Sequence, residues 1–166
     1  MKPNDQMTTS DNGYNLIKTF EGKRNKPYLC SAGVPTIGYG TTRYPNGIKV
    51  SLNDEPITDK ECDEYLRHFV VGVCERSIKE NVLVPLTQNQ FDALISFIYN
   101  VGGANFKSST LLKLINSSDF ENASKEFILW NKVTQGGQKV PSAGLTRRRN
   151  DETALFKSNE TLCFKF

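Results

Sequence analysis

The chain has 166 residues, of which 37% are hydrophobic, and a formal net charge of +3; this fits one ordinary globular domain whose core has room to divide between two lobes. Lys and Arg are spread along the chain apart from Arg147, Arg148 and Arg149, which excludes the footprint of a dedicated nucleic-acid binder and suits contact with an anionic polymer. No apolar run approaches the roughly 20 residues that cross a bilayer, and the polar opening MKPNDQMTTSDN reads as neither a signal peptide nor a signal anchor.

Residues up to about Ser10 read as a flexible lead. Asp11 is placed to cap a short helix in which Tyr14, Ile17 and Phe20 share a face. That helix, taken over 14–21, brings Glu21 to the point where Gly22 breaks it. Half of the surroundings expected there are apolar, a setting that keeps a carboxylate protonated near neutral pH. Cys30 follows nine residues on and Thr36 six further, at the head of the alternating run Thr36-Ile37-Gly38-Tyr39-Gly40. Taken singly, Glu21 would be a solvated helix-end acid, Cys30 a small hydrophobe and Thr36 an ordinary strand residue. Their joint spacing around one turn of chain carries the functional reading.

From Lys26 to about Val50 the prolines and glycines exclude helix and predict short strands and turns, so residues 22–57 form a small β-lobe. Thr58 and Glu61 stand in capping-box spacing at the start of a long helix over 58–80, with Tyr65, Leu66, Phe69, Val70 and Val73 as its apolar stripe. His68, the single histidine, lies one residue from that stripe and reads as a boundary residue. Thr87 and Gln90 repeat the capping box before Phe91, Leu94, Ile95, Phe97 and Ile98, a helix apolar on most sides that should form the core of a larger lobe over 81–156.

That helix runs into Tyr99-Asn100-Val101-Gly102-Gly103, followed by Phe106-Lys107-Ser108-Ser109-Thr110-Leu111. Asp119 to about Lys132 reads as a further helix with Phe120, Ala123, Phe127 and Trp130 inward. The stretch from Thr134 to Ala143 reads as an exposed, mobile loop. Gly144-Leu145-Thr146-Arg147-Arg148-Arg149 opens the last helix, through Phe156; its arginines read as anion contacts or a solvated basic face, with structural pairing favoured. The tail over 157–166 has no clear role. Cys30, Cys62, Cys74 and Cys163 show neither CxxC spacing nor a histidine cluster, which argues against zinc and leaves reduced thiols as the expectation. In an oxidising compartment a disulfide among Cys62, Cys74 and Cys163 is open.

Three of these blocks resemble the phage-type lysozymes, glycoside hydrolase family 24: Glu21, Cys30 and Thr36 with their glycine strand, the Tyr99-Asn100 turn with its following Phe106 and Ser109, and the Gly144-Leu145 segment with its arginines. The family pattern has an aspartate where Cys30 stands and often a histidine where Thr41 stands. The resemblance implies a lysozyme-like α+β fold, with a small β-lobe and a larger helical lobe joined by a long helix and a cleft between them. It implies an endolysin, a monomer without metal or organic cofactor, that hydrolyses the β-1,4 bond between N-acetylmuramic acid and N-acetylglucosamine in peptidoglycan. Glu21 would be the general acid, Cys30 and Thr36 would act from the opposite side as base or nucleophile and in water positioning, and Tyr99, Asn100 and Ser109 would line the sugar-binding side. Such a protein is expected to be made in the bacterial cytoplasm, not to insert in the membrane, and to reach periplasmic peptidoglycan through a separate pore-former or secretion machine. Two other readings stay open: a lytic transglycosylase using Glu21 alone, and a peptidoglycan-binding module with weak catalysis.

Overall fold

A computed structural model of the chain describes residues 2–158. The helix α1 (Asp11–Glu21) is capped by Ser10, one residue before the expected Asp11; the Ser10 side chain accepts from the backbone N–H of Asn12 and donates to Asp92. The preceding segment is a docked strap, where a flexible lead was expected. Asn4 is fully buried; its Nδ2 donates to the Val84 carbonyl at 3.0 Å, and its Oδ1 accepts from the Leu86 N–H at 3.1 Å. Thr9 donates from both its backbone N–H and its hydroxyl to Glu75 Oε1, each at 2.8 Å. Short polar side chains that read as a flexible lead in sequence here satisfy buried backbone groups, at Asn4, and buried carboxylates, at Thr9 and Ser10.

The β-lobe is an antiparallel pair, β1 (Arg24–Leu29) and β2 (Pro35–Gly38), with Tyr28 opposite Thr36 and an irregularity between Arg24 and Tyr28. The bridging element follows as α2 (Asp59–Phe69), a π-helical stretch Val70–Glu75, and α3 (Arg76–Asn81). Both halves of the Thr58–Glu61 capping box are present. The buried seam is Cys62, Leu66, Val70, Cys74 and Ile78, each with no exposed surface, whereas Phe69 and Val73 of the expected stripe stay 43% and 39% exposed. The wider π turn accounts for the difference, because a constant spacing of four residues drifts off one face of a 3.6-residue helix unless a π stretch takes up the excess.

The helix α4 (Gln88–Val101), started by the Thr87–Gln90 capping box, buries every residue from Phe91 to Ile98 and is the centre of the larger lobe. Around it lie α5 (Gly103–Ser108), α6 (Thr110–Asn116) and α7 (Phe120–Glu126). The single helix expected to run to Lys132 instead tightens to a 3-10 turn at Phe127–Trp130, which seats Trp130 edge-on against Phe97 with ring centroids 5.6 Å apart. In place of the expected loop stands a hairpin, β3 (Lys132–Gln135) and β4 (Gln138–Pro141). Gly136 and Gly137 at its turn have φ of +57° and +79°, the doubly left-handed pair that a two-residue hairpin turn requires. The chain then forms α8 (Ala143–Lys157), capped by Ser142 and packed on α4. Cys30, Cys62 and Cys74 are free thiols; Cys163, and with it most of the tail, lies outside the described residues. No helix among those described is long and apolar enough to cross a membrane.

Candidate active site

Glu21 is the last residue of α1, and Gly22 turns the chain away with φ of +67°. The carboxylate is not walled by apolar groups as expected. Its Oε1 lies 2.6 Å from Nη1 of Arg148, and the Glu21 side chain keeps 22% exposure. Arg148, on α8, is 3% exposed and divides its remaining donors between Glu152 and the carbonyl and hydroxyl of Ser96. Three elements, α1, α4 and α8, therefore meet at one guanidinium. An anchored Oε1 leaves Oε2 as the outward oxygen, and it faces Gly40: a side chain built there would place its Cβ 3.5 Å from Glu21 Oε2 and 3.8 Å from the Tyr99 hydroxyl. Those are ordinary contact distances, but Gly40 has φ of +96°, so the backbone favours glycine at the mouth of the site.

Cys30 stands at the turn of the β-lobe hairpin, where its backbone N–H donates to the Val34 carbonyl at 3.1 Å and its own carbonyl accepts from Gly33. Hydrogen bonding from the Val34 backbone, then from Ala32, holds the Cys30 thiol below its ordinary range, with a smaller contribution from the Thr36 hydroxyl. Thr36 is 2% exposed and donates its own proton to the Val34 carbonyl at 2.8 Å. Tyr28, opposite Thr36 across the hairpin and two residues before Cys30, is pushed up by burial, while the nearby Arg24 charge lowers it and those of Glu21 and Cys30 raise it. The structure thus brings Cys30 and Thr36 together at the hairpin turn and sets Glu21 within electrostatic reach of the same strand.

The three residues expected on the sugar side part company. Tyr99 lines the groove between the lobes and donates its hydroxyl to the Tyr39 carbonyl at 2.6 Å, which ties α4 to the β-lobe. Burial pushes its phenol far above the usual range, so it serves as a neutral donor. Asn100 is exposed at the last turn of α4, outside the groove lining. Ser109 is 4% exposed; its hydroxyl donates to the Phe106 carbonyl at 2.7 Å and accepts from the Leu112 N–H at 3.1 Å, so it caps α6. The residue that sequence reasoning undervalued is Arg148, folded into a run of three arginines of which two are buried. The groove itself has a volume of about 460 Å³ and lies between residues 40–47 and the exposed side of the bridging helix at His68, Phe69, Gly72 and Val73. Among the described residues no cluster of His, Cys, Asp and Glu has the geometry of a metal site.

Residues 18–152 match the phage lysozyme family, and the chain belongs to that family. It is a glycoside hydrolase, a lysozyme acting on peptidoglycan, with the lysozyme-like α+β fold. It is 41% identical over 152 residues to the endolysin of Acyrthosiphon pisum secondary endosymbiont phage 1, a match covering 92% of this chain and 99% of that one. The endolysin of Salmonella phage P22 is equally similar, 41% identical over 152 residues with the same coverage. The solved structure of the endolysin from Escherichia coli O157:H7 phage FAHEc1 superposes with a TM-score of 0.85 at 38% identity, over 92% of this chain and 95% of that one.

Proposed function

We propose that the enzyme is an endolysin of glycoside hydrolase family 24 type that cuts the β-1,4 bond between N-acetylmuramic acid and N-acetylglucosamine, with Glu21 as general acid and Cys30 in the place of an aspartate as base. The observation that carries this reading is the Glu21 carboxyl group held by Arg148 at one end of the inter-lobe groove, with its second oxygen turned outward past Gly40. As the bond from the anomeric carbon to the glycosidic oxygen breaks, Glu21 gives its proton to that oxygen, and the carboxylate it becomes is already paired with Arg148. Water adds to the anomeric carbon and gives its proton to the Cys30 thiolate, which completes a hydrolysis with inversion.

Thr36 has a narrower part than water positioning. It is 2% exposed, and because its hydroxyl donates to Val34 its role is to hold the hairpin turn that presents backbone N–H groups to Cys30. Tyr99 sets the distance between groove walls through Tyr39. Asn100 lies where only a long substrate extending beyond the groove would meet it, and Ser109 supports α6.

The reading is tested on purified peptidoglycan by borohydride reduction of the released fragments and mass spectrometry. Reduced muramic acid ends are expected. Reduced glucosamine ends would overturn the bond assignment, and anhydromuramic ends would replace hydrolysis by transglycosylation. Proton NMR of the first-formed anomer then separates inversion from attack by the thiolate on the sugar carbon, which would retain configuration.

A further inference from the structure

The groove has a property that general acid catalysis does not require. Among the described residues that line it, those with cationic or imidazole side chains are Arg43 and His68, one on the β-lobe side and one on the bridging helix, and no carboxylate joins them in the lining. Glu21 touches the groove only at its far end, behind Gly40. Arg43 is held for use: its Nη1 donates to the Gly47 carbonyl at 3.0 Å within its own hairpin, and its backbone bridges antiparallel to that of Lys49. A guanidinium fixed through one nitrogen keeps further N–H donors in a planar fork, the geometry that recognises a carboxylate. His68 is exposed on the last turn of α2 and adds a ring N–H donor on the other wall. The rest of the lining sets Thr41 and Thr42 among apolar and aromatic residues, with Phe69, Val73 and Tyr99 placed to take the face of a sugar ring.

We propose that Arg43 and His68 form a carboxylate-selecting subsite, so that the enzyme distinguishes glycan strands bearing an acidic substituent from strands whose acids are masked. This rests on the proposed glycosidase reading of the same groove and names the class of substrate it takes. The carboxylate has two sources on a wall strand: the peptide stem, or the lactyl group of muramic acid once the stem is removed.

The experiment measures kcat and KM on three soluble strand preparations: native stem-bearing strands, the same strands with their stem carboxylates converted to amides, and strands freed of stems. The parent is expected to show a KM at least several-fold lower on native strands than on amidated ones, with similar kcat. Arg43→Gln is expected to erase that ratio and His68→Gln to reduce it, while Lys113→Gln, a charge loss on an exposed face of α6, leaves it intact. The native-to-amidated ratio reads the stem; low KM on stem-free strands as well extends the subsite to the free lactyl carboxylate, and high KM there confines it to the stem. A parent that treats native and amidated strands alike, an Arg43→Gln enzyme that keeps the ratio, or a Lys113→Gln enzyme that loses it equally would overturn the subsite. A parent that cleaves none of the three fails the glycosidase reading itself, a result separate from any change in ratio.

Discussion

Arg148 places Nη1 2.6 Å from Glu21 Oε1 while its Nε lies 3.2 Å from Glu152 Oε1, so one buried guanidinium joins the outermost acid of the site to an acid with no exposure at all. Removing the cation leaves Glu21 Oε1 without its anchor and Glu152 with only Arg149 and Ser96 as partners. Arg148→Met should destabilise the fold by about 3–5 kcal/mol, the usual cost of breaking a buried ion pair from one side. It should also lower turnover, because Oε1 loses its anchor. Denaturant unfolding of the variant and the parent checks the first, and turbidity of wall suspensions under conditions where both remain folded checks the second.

Glu21→Gln keeps the size of the side chain and a carbonyl oxygen for Arg148, but it cannot donate the proton. Wall lysis is expected to fall by at least about a hundredfold, the lower range for loss of a general acid, with the unfolding transition shifted far less than in Arg148→Met. Lysis at the parent rate would remove Glu21 from the acid role.

Cys30 differs from an aspartate in when it ionises. Its thiol is held below the ordinary range by the N–H groups of the turn, so the thiolate appears at lower pH than in a free cysteine of pKa about 8.5. The rising limb of the lysis rate against pH should follow that ionisation. Cys30→Asp, with an unperturbed pKa of about 3.9, should keep activity and move the limb down by several pH units, whereas Cys30→Ala should lose most of it. Alkylation measured against pH in a Cys163→Ser background gives the midpoint directly. Cys62 and Cys74 are fully buried with thiols pushed up by burial, so Cys30 is the reactive group. A pH profile unchanged in Cys30→Asp would exclude the thiol from proton transfer.

Asn4 tests the strap. Its side chain serves both the Val84 carbonyl and the Leu86 N–H, and Asn4→Ala leaves both buried groups without that partner. A loss of about 1–3 kcal/mol is expected, read from chemical denaturation, with lysis by the folded protein unaffected. An unchanged midpoint would mean that water replaces the amide at no cost.

Both capping boxes were legible in the chain because their chemistry is local: Thr58 with Glu61 and Thr87 with Gln90 need no tertiary partner to declare a helix start. The same holds for Gly22 and for the spacing of Glu21, Cys30 and Thr36, which lie on one short excursion of chain. What was not legible depends on residues far apart. Glu21 and Arg148 are separated by 127 positions, and a run of three arginines looks the same whether it faces water or, as with Arg148 and Arg149, the interior. The polar residues Asn4, Thr9 and Ser10 read as disorder because their partners, Val84, Glu75 and Asp92, come from other elements. The hairpin at Lys132–Gln135 and Gln138–Pro141 was hidden by low apolar content, since a ribbon exposed on nearly all sides carries no inward and outward alternation.

The π stretch at Val70–Glu75 gives the bridging element one spare residue. Excising a single amino acid there lets the widened turn close to ordinary α geometry, so Cys74 and Ile78 keep facing the oily interior. The same excision inside α2 or α3 has no such slack and would swing everything beyond it by about 100°, driving hydrophilic neighbours inward. A deletion scan along the rod would therefore find its most forgiving positions between the lobes and its least forgiving ones toward either end.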